Sequence, residues 1–355
     1  MRPDATIHEQ PSVPVRWPQI SASAEASAWL QLQVDLGLAP LTVEAYARGL
    51  SSFLQFCRDA EVDPLHQVHK NHVLGWIREM KKRPVRKHDR TNIGLANATM
   101  QQRLVAVRLF YDYLVEEGVR ATNPAGRGQF TPGRTITKRA DRGLLPRLAV
   151  LPWIPTDQQW GQILSAAREE PIRNRLMLAL AYDAGLRREE LCRFRTDDLD
   201  PAHRTLRVRA ETTKSRRERV VPYSATTGAL LQAYLKHRRE LSRERGPLFL
   251  SESRRNAAAP ITLWTWSKVV RALALRAGVP SFSTHTLRHL CLTDLARAGW
   301  EIHAIAQFAG HRNTTTTLQY IHLSGRDLAT RLASGMEQVH RWRIDELARA
   351  FEVGP

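Results

Sequence analysis

Apolar residues recur along most of this chain at intervals of three and four, the spacing of helices that each hide one face. Residues 23 to 37 contain the first such run, AEASAWLQLQVDLG, which stops at Gly37. In the second, LTVEAYARGLSSFLQFCRDA, the positions Val43, Tyr46, Leu50, Phe53, Leu54 and Cys57 share a face, and Thr42 is the expected N-cap. VHKNHVLGWIREMKKR predicts a third helix. NATMQQRLVAVRLFYDYLVEEG predicts a fourth, with Leu104, Val107, Phe110, Tyr111 and Leu114 on one side and Gly118 at its end. Together these runs predict a small all-helical domain over residues 22–125. Residues 1–21, which hold Pro3, Pro11, Pro14 and Pro18, read as a flexible arm.

The periodicity lapses over residues 126–155, a stretch rich in Pro, Gly, Arg and Lys that reads as a basic linker. It resumes at Thr156, an expected N-cap before DQQWGQILSAAREE. RNRLMLALAYDAG follows as an apolar helix ending at Gly185. TLRVRAETTKSRRERVVPYS then changes period to two at its ends, through Leu206 and Val208 and then Val220 and the flanking Val221. That pattern predicts a β-hairpin whose tip carries Lys214. Further helices are expected over 226–245, 262–277, 286–298, 301–308 and 314–321, and a last one over 338–351. In the last, Ile344, Leu347, Ala348 and Phe351 make one apolar stripe, suited to docking on its own domain or on a neighbouring subunit. The expected fold class is mainly α with a small β-hairpin or sheet in a second domain of residues 156–337, followed by a C-terminal helical segment, 338–355. A length of 355 residues agrees with two domains.

Composition narrows the partners. Hydrophobic residues make up 43% of the chain, enough for a packed core. No stretch approaches the ~20 apolar residues of a membrane span, and the first residues lack the apolar core of a signal peptide. Cys57, Cys192 and Cys291 are too scattered for a disulfide framework or a metal pattern, so a reducing cytoplasm is the expected location. The charge changes the picture most. Lys plus Arg is 53 and Asp plus Glu is 35, a net charge of +18. An arginine-rich excess of that size points to a polyanion, with nucleic acid first among them.

Four separated segments carry candidate chemistry. AGLRREEL sets Arg187 just past a helix-ending glycine, with Glu190 three residues on. TTKSRRERVVP carries Lys214. STHTLRHL puts His285 and Arg288 on one helical face. GHRNTTTTLQY holds His311 and Tyr320, with Gly310 for the turn and Asn313 as the expected cap of a short, weakly held threonine helix. A phosphodiester in transfer gathers negative charge on its non-bridging oxygens, which two guanidinium groups can clamp. Histidines can donate hydrogen bonds or move a proton, a lysine can protonate the leaving oxygen, and a tyrosine can attack. His285 and His289 stand at i, i+4, but no third ligand and no HExxH accompany them, so neither a metal nor a cofactor is expected.

The order of these segments closely resembles the tyrosine recombinase (phage integrase) family over residues 156–325. Residues 22–125 are similar to that family's helical core-binding domain, without a sharp motif. The resemblance implies a metal-free, ATP-free site-specific recombinase that cuts and rejoins DNA through a 3′-phosphotyrosyl intermediate. It implies that Arg187, Lys214, His285, Arg288 and His311 assemble the phosphate site, that Tyr320 is the nucleophile and that Glu190 supports them. Glu189 departs from the small residue common there. Expected DNA contacts are Arg48, Arg103, Arg108, Arg216, Arg217 and Thr316. The implied partner is double-stranded DNA with paired core sites, bound by a homo-tetramer, with no membrane. Two other readings stay open: a type IB topoisomerase, which religates the same strand, and a DNA-binding regulator that has kept the fold without catalysis.

Overall fold

The computed structural model describes residues 17–87, 90–126, 144–146, 152–213 and 216–321. The chain divides into two compact units between Ala149 and Val150.

The first unit is helical. It comprises α1 (Pro18–Ser21), α2 (Ala24–Asp35), α3 (Pro40–Asp59), α4 (Lys70–Lys82) and α5 (Asn97–Glu116), with strands β1 (Pro84–Lys87) and β2 (Arg90–Ile93) between the last two helices. Ser23 caps α2 by accepting from the Ala26 N–H at 3.2 Å. Helix α3 begins earlier than Thr42. Pro40 occupies its first turn, where proline's fixed φ suits a helix and its missing N–H costs nothing. The expected arm over 1–21 is likewise shortened, because Pro18–Ser21 is helical and Ile20 is buried in the core. The faces read from periodicity meet as expected: Leu50, Phe53, Leu104, Val107, Phe110 and Tyr111 are buried together with Trp29 and Trp76. Gly49 lets α3 and α5 approach closely, since a Cβ there would lie 3.0 Å from that of Ala106 and 3.1 Å from Arg103 Cα. The β1–β2 pair is antiparallel, Pro84 opposite Ile93, and no periodicity announced it.

The second unit comprises α6 (Asp157–Ala167), α7 (Ile172–Asp183), α8 (Arg188–Cys192), strands β3 (Leu199–Asp200), β4 (Thr205–Val208) and β5 (Arg219–Pro222), then α9 (Ala225–Leu241), α10 (Leu263–Arg276), α11 (Thr284–Arg297), α12 (Ile302–Ala309) and α13 (Thr315–Ile321). Thr156 caps α6 as expected, with Gln159 returning a bond to its N–H. Helix α7 is buried over most of its length, with Arg173 and Asn174 as well as Leu176, Met177, Leu178, Leu180 and Ala181 inside, and it packs on α9 and α11. The hairpin is present as β4 and β5, and β3 adds a third antiparallel strand in the order β3-β4-β5. Leu206 faces Val221 across the hairpin and both are buried, whereas Val220 is exposed. Of the two adjacent valines only one can point inward, because side chains alternate along a strand. A small cluster of Leu292, Ala296, Ile305 and Ala309 fastens α12 to α11. The helix expected over 338–351 lies outside the described residues, as does the tip residue Lys214.

Among the described residues no helix is long and apolar enough to cross a membrane. Cys57, Cys192 and Cys291 are free and buried, and burial pushes each thiol up to about 12, so all three stay protonated at neutral pH.

Candidate active site

Glu190 is the anchor of the site. It lies in the first turn of α8, and its side chain is fully buried. One carboxylate oxygen accepts from the Arg187 backbone N–H at 2.9 Å, and the other accepts from Arg187 Nη1 at 2.8 Å. Arg219, on β5, donates to both oxygens at 2.8 and 3.1 Å. Burial alone would raise this carboxyl. The two bonds and the charge of Arg219, and then those of Arg187, more than reverse that and hold it down to about 2. Arg187 is thus oriented by a carboxylate behind it while its guanidinium remains partly exposed.

Arg288 comes from α11 and is buried. Its Nη1 donates to the Gly185 carbonyl at 2.5 Å and its Nη2 to the Ala309 carbonyl at 2.6 Å. The same Nη2 lies 2.9 Å from His311 Nε2. Arg187 Nη2 reaches toward the neighbouring Gly310 carbonyl at 3.5 Å, and Arg219 Nε donates to the Phe308 carbonyl at 3.0 Å. Three guanidinium groups from α11, the start of α8 and β5 therefore converge on the unsatisfied carbonyls at the end of α12. Gly310 makes that end possible. It adopts a left-handed φ of +64°, and the His311 N–H closes the turn on the Ala306 carbonyl at 2.9 Å.

His311 follows at once. Arginine can only donate, so the Nε2 facing Arg288 must carry a lone pair and Nδ1 the proton. That proton points at Thr317 Oγ1, 2.8 Å away and fully buried on α13. Desolvation first, then the charges of Arg288, Arg187 and Arg219, lower the imidazole to about 4, so it is neutral at pH 7. His285, one turn before Arg288, stays exposed at the mouth of the site. The surrounding protein and then Arg188, Arg288 and Arg187 shift it in the same direction. His289 lies half-buried on the next turn and is lowered to about 4 by desolvation, then by His285 and Arg288. Among the described residues no group of three His, Cys, Asp or Glu side chains is placed to hold a metal ion.

Arg187, Glu190, His285, Arg288 and His311 thus lie in one place although they come from separate segments. Tyr320 lies on α13, one turn after Thr317. Asn313, expected as the cap, stands two residues before the first residue of that helix, and its side chain accepts from the Thr315 N–H at 2.9 Å and the Thr315 hydroxyl at 2.8 Å. Thr316 is exposed. Arg216 and Arg217 are exposed beside the hairpin tip, Arg216 with a left-handed φ of +51°. In the first unit Arg48 pairs with Glu44 at 2.8 Å, and Arg103 donates to the Ser52 hydroxyl at 3.1 Å. Arg108 is committed inward, its Nε donating to the Ala125 carbonyl at 3.1 Å.

Periodicity and spacing missed Arg219 and Thr317. Arg219 shares a strand face with the buried Val221, and an arginine on an inward face demands a buried acid, which was the available signal. Thr317 gave none, because the left-handed break at Gly310 removes any helical register with His311.

A model described as the Phage integrase family matches residues 155–326, and one described as its N-terminal SAM-like domain matches residues 28–118. The chain belongs to the phage integrase family of tyrosine recombinases. As a tyrosine recombinase it is a DNA strand-breaking and strand-joining enzyme, and the family assignment covers both units. It is 28% identical over 308 residues to tyrosine recombinase XerC of Haemophilus influenzae, covering 85% of this chain and 92% of that one. It is 24% identical over 301 residues to tyrosine recombinase XerD of Oceanobacillus iheyensis, covering 82% and 91%. Among solved structures the fold is shared with XerH recombinase bound to a palindromic difH substrate, at 17% identity, 90% and 85% coverage and a TM-score of 0.65. It is shared also with the Tn1549 transposon integrase in complex with transposon right-end DNA, at 19% identity, 88% and 98% coverage and a TM-score of 0.64.

Proposed function

We propose that this recombinase exchanges strands between two DNA sites, each bound by two subunits of a homo-tetramer, with Tyr320 as the nucleophile. The observation that carries the reading is the convergence of Arg187, Arg288 and His311 on the carbonyl end of α12, with α13 and its tyrosine immediately after. The tyrosine oxygen attacks phosphorus, a 3′-phosphotyrosine forms, and the departing 5′ oxygen takes a proton from Lys214. The 5′ hydroxyl of the partner duplex then reverses the step. The bond energy stays in the phosphotyrosine, so no nucleotide is hydrolysed. Arg187 and Arg288 stabilise the charge gathering on the non-bridging oxygens, and their fixed orientation means little reorganisation at the moment of reaction. Neutral His311 accepts from Arg288 through Nε2 and so orients that guanidinium rather than adding a cation of its own.

In the first unit, Arg48, Arg83 and Arg103 surround Ser52 along a groove of about 590 Å³. Desolvation and the neighbouring charges of Arg83 and Arg48 lower Arg103, as like charges do when an anion is wanted between them. This supports Arg48 and Arg103 as contacts to DNA phosphates. Arg108, turned to its own backbone, supports the fold.

The test is a duplex nicked so that the cleaved 5′ fragment diffuses away. Wild-type protein should form an adduct stable in denaturing gel, and Tyr320→Phe should bind equally and form none. An adduct in that variant would remove Tyr320 from the nucleophile's role. Strand exchange between two separate duplexes distinguishes recombination from religation of one strand.

A further inference from the structure

We infer that Thr317 is a positioning residue that fixes the tautomer of His311 and ties the register of the nucleophile helix to Arg288. The inference rests on the proposed role of the site but not on any measured activity. Its basis is a chain of three side chains, Arg288 and Thr317 buried and His311 half-buried: Arg288 Nη2 donates to His311 Nε2 at 2.9 Å, and His311 Nδ1 donates to Thr317 Oγ1 at 2.8 Å. Thr317 has no exposed surface, while Thr316 beside it faces solvent. A threonine is a poor choice for a helix interior on propensity alone. A valine would fill the same volume without burying a hydroxyl. The hydroxyl therefore has a task, and it meets the ring of His311 at 2.8 Å.

Two consequences follow from this chain. Holding the proton on Nδ1 leaves the lone pair of Nε2 to accept from Arg288, which orients the guanidinium proposed to clamp the phosphate. And because Thr317 stands one turn before Tyr320 on α13, the imidazole acts as a strut between that helix and Arg288. The groups facing the ring from the surrounding elements are Arg288 of α11, Arg187 and Glu190 at the start of α8, and Arg219 of β5. All three cations disfavour a second proton on the ring, so the neutral Nδ1–H form is the one this site holds.

The experiment uses the full chain with ¹⁵N-labelled histidine, the His311 ring signals being assigned by their loss in His311→Gln. In wild type at pH 7 His311 should appear neutral with Nδ1 protonated. Thr317→Val should abolish that preference, giving a mixture or the Nε2–H form, and should slow covalent adduct formation on the nicked duplex by about tenfold or more. Thr317→Ser, which keeps the hydroxyl, should keep the Nδ1–H signature and restore adduct formation to within about threefold of wild type. The inference is overturned if wild-type His311 carries its proton on Nε2. It is overturned equally if a folded Thr317→Val protein keeps wild-type rate and tautomer. Should the valine variant fail to fold, the wild-type tautomer and the serine variant decide the matter alone. A wild-type protein that forms no adduct would refute the functional reading, while the ring signals would still judge Thr317.

Discussion

Consider Glu190→Gln. The change keeps size and shape and removes one charge. In the wild type the carboxylate accepts four hydrogen bonds, two from Arg219 and two from Arg187. A glutamine can accept at one oxygen, but its amide nitrogen must face donors on the other side. The size of the loss can be reached by two routes. A carboxyl held at about 2 against an ordinary 4.5 contributes about 3 kcal/mol at neutral pH, at about 1.4 kcal/mol per pH unit. Removing one partner of a buried ion pair independently costs about 3–5 kcal/mol, because the other charge stays behind. For a unit of this size about 3 kcal/mol corresponds to about 6–12 °C in Tm. Thermal unfolding followed by circular dichroism at pH 7 should show that drop in the transition of the second unit. The wild type should also lose stability as pH falls from 4.5 toward 2, since its folded carboxylate resists protonation there, and the variant should lack that limb. A Tm within about 2 °C of wild type, with the acid limb unchanged, would refute the reasoning that Glu190 holds the two arginines as an ionised anchor.

Histidine gives a second acid window above the first. Unfolded His289 and His311 take up protons near 6.5, whereas the folded forms resist until about 4. Stability should therefore fall as pH drops from 6.5 to 4, by at most about 3 kcal/mol for each ring, and His289→Gln with His311→Gln should flatten urea midpoints across that range. Lys214→Ala should slow cleavage, and a 5′-bridging phosphorothiolate duplex should rescue it, because sulfur leaves without a proton; absence of rescue would deny Lys214 the acid's role. Arg103→Ala should weaken DNA binding alike for all sequences and reduce the salt slope by about 1, whereas loss at one sequence alone would point to base contact instead.

Local chain geometry explains what was legible beforehand. His285 and Arg288 are three residues apart within α11, and Arg187 stands at the N-cap of α8 with Glu190 at its third position, so the proximity of each pair follows from a helix or its start. The apolar faces of α3, α5 and α7 were visible because long helices repeat their pattern several times. Short elements repeat nothing: α1 has four residues, as do β1 and β2, and all three went unseen. Val220 was given equal standing with Val221 because a four-residue strand offers two registers, and only tertiary packing chooses between them. Arg219 joins an acid twenty-nine positions away, across a sheet and a helix, a distance over which spacing carries no information.

Gly310 closes off a route through sequence space. Any other residue would meet its left-handed φ of +64°, and a Cβ would press on Arg219 at 3.0 Å from Nη1 and 3.2 Å from Cδ. A free arginine could swing aside, but this one is pinned by Glu190 and the Phe308 carbonyl. Backbone and packing objections thus coincide at a single codon. In a directed-evolution library seeking new DNA targets, variation at position 310 should be purged regardless of the target chosen, and diversity is better spent on exposed positions such as Arg216, Arg217 and Thr316.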